Sequence, residues 1–266
     1  MTKKLIKSPL TYVLGQVKIS PIVDMQSHIP KIQETLRKVL PKFNEIETLD
    51  FNVQSNQKDV RVNTRWHFFD KESTTGVILE KDMIIFHTTN YHTFEQFSGF
   101  LEKTLKNINE ILNIGLYTRL GLRYINFIDE NINTVIQKPL LGFPLDFDDV
   151  KDSGQGFHRT ESVNQTKCDG ILKLQSTFTH VNQLNKKDFN LFVPPDLSAV
   201  ASLLTFINNE PKDKLFLLDI DHFMFKNDVD FDVKEIIKNF GSLHMGVSNA
   251  FLSAITNEAK TLWGAK

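Results

Sequence analysis

Four of the chain's six arginines, Arg61, Arg65, Arg119 and Arg123, fall in two pairs spaced four residues apart, while nearly every other cation is lysine. Residues 59–69 and 116–128 both read as strands, where alternate side chains share a face. Arg61, Asn63, Arg65 and His67 then lie opposite Val60, Val62 and Trp66. Arg119, Gly121 and Arg123 lie opposite Leu120 and Leu122, with Gly121 leaving a shallow gap between two guanidinium groups. A guanidinium binds carboxylate or phosphate through a rigid fork that lysine lacks. The four arginines are therefore a candidate anion or partner face. The competing reading is cross-strand ion pairing with Asp or Glu, each pair contributing little.

Asp219 and Asp221 are the candidate metal ligands. Two residues apart on a strand, their Cα atoms lie ~6.6 Å apart on one face. Carboxylates so placed suit a Mg²⁺ shared with waters and a substrate phosphate. The plainer alternative is a solvated strand face with Leu218 and Ile220 turned inward. His222 points to the other face. The eight histidines form no close motif. His158, His180 and His222 sit on three expected strands and meet only if those strands are neighbours. His244, beside Leu243 and Val247 in the last helix, reads as a packed, hydrogen-bonded histidine. Cys168, the single cysteine, lies in the turn-like run Asn164–Gly170 and reads as an incidental turn residue. One cysteine excludes an internal disulfide or a multi-cysteine zinc site. Phosphate-binding glycine loops, the serine-hydrolase elbow, the zincin helix and the EF-hand pattern are all absent from the sequence. No catalytic residue and no cofactor is assigned.

These residues need elements to position them. A strand over 10–19 stops at Ser20-Pro21. A helix over 27–40 follows from Ile29, Ile32, Leu36, Val39 and Leu40 at helical steps, with Pro30 in its first turn. Strands at 46–54 and 59–69 and a hairpin at 76–80 and 83–88 come next, close enough together for antiparallel pairing. Thr93 and Gln96 make a capping box for a helix along Phe94, Phe97, Leu101, Leu105, Ile108 and Leu112. Asn113 and Gly115 stop it. After the strand over 116–128, a pattern-poor connection spans about 129–156. A hairpin over 157–165 and 170–181, a short helix from Asp196 or Ser198 to Ile207, a strand over 214–226 and a helix over 232–257 complete the chain. Four phenylalanines and leucines at helical spacing (Phe94, Phe97, Phe100, Leu101) are core, not a stacking platform.

The expectation is an α+β fold: mostly antiparallel sheet covered by long amphipathic helices, either as two related halves at 1–130 and 131–266 or as one large sheet carrying two long helices. With 266 residues, 41% hydrophobic and 24% charged, the chain can bury a sizeable core. A net charge of -1 gives nucleic acid no support. No apolar run approaches the ~20 residues of a membrane span, and the basic start, Met1–Pro9, lacks the apolar run of a signal peptide. A cytoplasmic location is expected.

Several phrases carry a family likeness: Ser8-Pro9-Leu10 with Gly15–Pro21, the strand Gly121-Leu122-Arg123-Tyr124-Ile125-Asn126, Leu218-Asp219-Ile220-Asp221, and Leu243-His244 with Phe251 and Ile255-Thr256. In this order the chain resembles a sporadically distributed bacterial protein family of about this size and unassigned function. The resemblance implies no catalytic residues. Its patchy distribution implies an accessory gene of the kind found in phage defence, toxin–antitoxin pairs or mobile elements.

Two classes of function follow. The first is a non-catalytic interaction or regulatory protein of such an accessory system, with a protein partner. The second is a metal-dependent enzyme on nucleotide or nucleic acid, using Asp219 and Asp221. The missing motifs and the near-neutral charge favour the first.

Overall fold

The computed structural model describes residue 5 and residues 7–52, 59–128, 132–137, 157–180 and 214–264. The expected helix over 196–207 and most of the connection over 129–156 lie outside them.

The described strands form one antiparallel nine-stranded sheet. They are β1 (Leu10–Ile19), β2 (Lys42–Asn52), β3 (Asp59–Phe69), β4 (Thr75–Glu80), β5 (Met83–Thr88), β6 (Leu116–Ile128), β7 (Phe157–Gln165), β8 (Gly170–His180) and β9 (Lys214–Asp230). Their order is β2-β3-β4-β5-β1-β6-β9-β8-β7. Among the described residues five helices accompany them: α1 (Met25–Leu36), α2 (Phe94–Leu112), α3 (Ile132–Val135), α4 (Val233–Ala254) and α5 (Asn257–Leu262). The protein is thus mixed α+β.

The chain divides into two compact units drawn from discontinuous segments. One comprises residues 1–13, 122–224 and 241–266; the other comprises residues 14–121 and 225–240.

In the second unit, β2 to β5 form a meander in sequence order. Phe68 pairs with Phe43 on one side and Val77 on the other, and Val77 with Phe86. Phe68, Val77 and Phe86 are each fully buried. Strict alternation then sends Arg65, His67 and Phe69 to the opposite face. Helix α2 starts where Thr93 Oγ1 accepts the Gln96 amide at 3.2 Å, and ends at Asn113, whose φ of 47° turns the chain left-handed. Its apolar side, Phe97, Leu101, Leu105 and Ile108, is buried, and the Phe100 ring meets Phe86 edge-on at 6.0 Å.

In the first unit, β7 and β8 form a hairpin with Gln165 opposite Ile171. β8 then pairs with β9 over eleven residues, Gly170 opposite Met224 through His180 opposite Lys214. This register puts Leu172 opposite His222 and Gln175 opposite Asp219. Leu243, Val247 and Ala254 of α4 are buried here, as are Ala259 and Trp263 just beyond it. Trp263 stacks on Phe251 at 6.1 Å.

Candidate functional site

Of the four candidate arginines, Arg61 occupies its register position opposite Asp50, and its side chain lies outside the described set. The other three are placed. Arg65 faces Glu80 across β3–β4, with Nε 2.6 Å from Oε1 and both side chains largely covered. Arg119 donates to Gln16 Oε1, and its guanidinium lies 6.0 Å from the Phe225 ring centroid. It folds back over Gly121, where a Cβ would come within 3.1 Å of Nη1. The space the glycine leaves is therefore filled by Arg119 itself.

Arg123 is held as a fork. Its Nε donates to Asp219 Oδ1 at 2.9 Å and its Nη2 to Oδ2 at 2.6 Å. Burial works against the charge on Arg123. The hydrogen bonds and charge of Asp219, with Asp221 behind them, outweigh it and raise the guanidinium pKa above its ordinary value. The Tyr12 hydroxyl is pushed well above its usual value by burial, against the pull of Arg123. Asp219 is itself buried at 5% exposure, so it does not lie on a solvated strand face as the plainer reading held. Both of its oxygens are engaged by Arg123. Among the described residues no group of three His, Cys, Asp or Glu is arranged to hold a metal ion.

The two arginine-bearing strands are not neighbours. β4, β5 and β1 stand between β3 and β6 in the strand order.

Two clusters had no sequence signal. His67 on β3 is fully buried, and neither ring nitrogen has a hydrogen-bond partner among the described residues. His87 on β5 is almost as buried, and the Phe69 ring stands 5.7 Å from His67 and 5.6 Å from His87. Burial first, then the Arg65 charge, lowers His67 to about 4. Burial and His67, opposed by Asp70, lower His87 to about 3. Both rings are therefore neutral at pH 7, as an apolar setting requires.

The second cluster joins β9, α4 and the β7–β8 turn. His222 is fully buried, with Nδ1 2.9 Å from the Leu243 carbonyl. Its Nε2 is 2.9 Å from Thr166 Oγ1 and 3.6 Å from Cys168 Sγ. Cys168 does sit in a turn, as expected, with Asp169 at φ 55° closing it. The turn delivers the thiol to a histidine 54 residues away in sequence. The side chains of His158 and His180 lie outside the described set, so of these three histidines only His222 is placed. His244 accepts or donates through Nδ1 to the Tyr124 hydroxyl at 2.9 Å, a packed and bonded histidine as its helical position suggested.

No family model, curated protein or solved structure matches this chain. No helix among the described residues is long and apolar enough to cross a membrane. What the fold and clusters define is an α+β protein on an antiparallel sheet, in which Arg65 meets Glu80 of the next strand and Arg123 meets Asp219 from 96 residues away.

Proposed function

We propose that the protein acts by binding a protein partner, without catalysis, in an accessory bacterial system of the defence or toxin–antitoxin type. The observation that carries this reading is β7. Among the described residues it is the last strand in the order, and its inner side is paired with β8 over nine residues. Arg159 and residues 161–165 are exposed. A strand at the end of a sheet accepts an extended segment by strand addition. β7 carries neither proline nor lysine, two common devices against such pairing.

The occupant is an extended segment with an acid opposite Arg159, a base opposite Glu161 and an apolar residue opposite Val163, which is 55% exposed. The rest of the chemistry supports binding over catalysis: Asp219 is committed to Arg123, and Arg65 to Glu80.

The test is Val163→Pro, which removes an amide facing away from β8 at an exposed position and leaves the β7–β8 ladder intact. The variant should melt like the wild type, and partners captured by the wild-type protein should be lost. Retention of every captured partner would refute strand addition at β7. Sedimentation of the isolated protein separates a different partner from a second copy, because β7 could also pair with itself, Glu161 opposite Arg159. A melting temperature raised by Mg²⁺ or Mn²⁺ would instead support the metal-dependent alternative.

A further inference from the structure

We propose that Cys168 is a reactive thiol with His222 as its proton acceptor, and that it takes up small disulfides as a mixed disulfide.

The argument starts from hydrogen-bond accounting. The Leu243 carbonyl can only accept, so His222 Nδ1, 2.9 Å away, carries the ring proton. Nε2 is then a lone pair aimed at the β7–β8 turn. Two groups with one proton each face it, the Thr166 hydroxyl and the Cys168 thiol. The Thr166 hydroxyl has a second acceptor, the Gly170 carbonyl at 3.1 Å. With that hydroxyl on Gly170, the thiol proton is directed to Nε2. Burial lowers the His222 pKa, which keeps Nε2 unprotonated at neutral pH.

The ring cannot turn away. A Cβ at Gly246 would lie 2.4 Å from Nδ1, and one at Gly170 2.8 Å from Nε2. Both positions must be glycine for the imidazole to sit where it does. Once the proton has moved, Nε2–H stands 3.6 Å from the sulfur as a hydrogen-bond donor. The ring is sealed inside while Cys168 is half-buried on a surface turn, so a reagent meets sulfur and not imidazole. Exposed Lys167 and Asp169 flank the thiol with one charge of each sign, a rim suited to a peptide-like, zwitterionic disulfide.

The step balances. The Cys168 S–H proton passes to His222 Nε2. The thiolate attacks one sulfur of R–S–S–R, a new S–S bond forms and the old one breaks. The leaving thiolate takes a proton from water and departs as RSH, and His222 returns its proton to bulk water by way of the Thr166 hydroxyl. The disulfide is the oxidant. Nothing in this inference rests on strand addition at β7.

The test uses the full chain and an aromatic disulfide probe, following release of its coloured thiol. The rate for the folded protein is compared with that for the same chain in urea at the same pH, corrected by a free cysteine peptide in the two solvents. The folded rate should be about tenfold or more above the unfolded rate, despite the partial cover on Cys168. A folded rate equal to or below the unfolded rate would overturn the proposal, because cover alone slows a turn cysteine. His222→Gln, if folded by circular dichroism, should fall to the unfolded rate, and full retention there would also overturn it. Cys168→Ser should release nothing. Oxidised glutathione should add one glutathionyl group by mass spectrometry, at Cys168; no addition under conditions where the aromatic probe reacts would refute uptake of small peptide disulfides.

Discussion

Acidification should destabilise this protein through His67 and His87. Both rings are buried and neutral in the fold, with pKa values of about 4 and about 3. In the unfolded chain each returns to about 6.5. The unfolded state therefore binds more protons below pH 6.5, and stability falls as pH falls. It is complete above about pH 7 and drains between 6.5 and the folded values. At pH 5 an unfolded histidine is almost fully charged while either folded one is almost fully neutral. Each then costs about 2 kcal/mol, or about 4 kcal/mol together, relative to pH 8. The local slope is about 2.5 kcal/mol per pH unit, close to two protons taken up on unfolding. Against a usual net stability of about 5–15 kcal/mol, that is a large share. The assay is urea unfolding at pH 8, 7, 6 and 5, for the wild type and for His67→Leu with His87→Leu. The double variant should lose most of the slope between pH 7 and 5, although the lowered His222 leaves a residue of the same sign. Equal slopes for the two proteins, or a flat wild-type profile, would show that these rings are hydrated and charge freely in the fold.

Asp219→Asn should cost about 3 kcal/mol, because it leaves the Arg123 guanidinium buried without its counter-charge, whereas Asp221→Asn should cost much less. Thermal melting with and without Mg²⁺ checks this and shows why a double Asp219/Asp221 variant is a poor metal probe: it weakens the fold whether or not metal binds. Leu101→Asp and Phe240→Asp should each prevent folding, since both side chains are fully buried. A soluble variant with a cooperative melt at either position would refute the facing of its helix.

What the sequence revealed depended on how far apart the cooperating residues lie. Helix α2 was legible nearly to the residue because its signals are local: Thr93 caps it, the apolar stripe runs along it, and Asn113 ends it. The face of Arg123 was legible from alternation alone. Its partner was not, because Asp219 is 96 residues away and only the β6–β9 adjacency brings them together. The same reason hid the Cys168 contact: the turn was plain, but the β8–β9 register that swings His222 under it has no local signature. Burial of His67 was equally invisible, since a histidine alternating with Trp66 and Phe68 resembles the polar side of a half-exposed strand. β9 runs to Asp230, beyond the expected Phe225-Lys226 end, through a polar stretch whose residues give no strand pattern of their own.

The strand order also bears on how the chain is made. β6 has β1 on one side and β9 on the other, and β9 is the last strand in sequence. While the polypeptide emerges from the ribosome, β6 is complete at residue 128, yet its second edge has no strand to meet until residue 230 has been added. For that interval Arg123 lacks Asp219, and the apolar row that includes Leu122 and Tyr124 borders an open ladder. Synthesis of those hundred or so residues takes roughly 5–20 s at about 5–20 residues per second, so the nascent chain has to keep this edge out of aggregates until its last strand arrives.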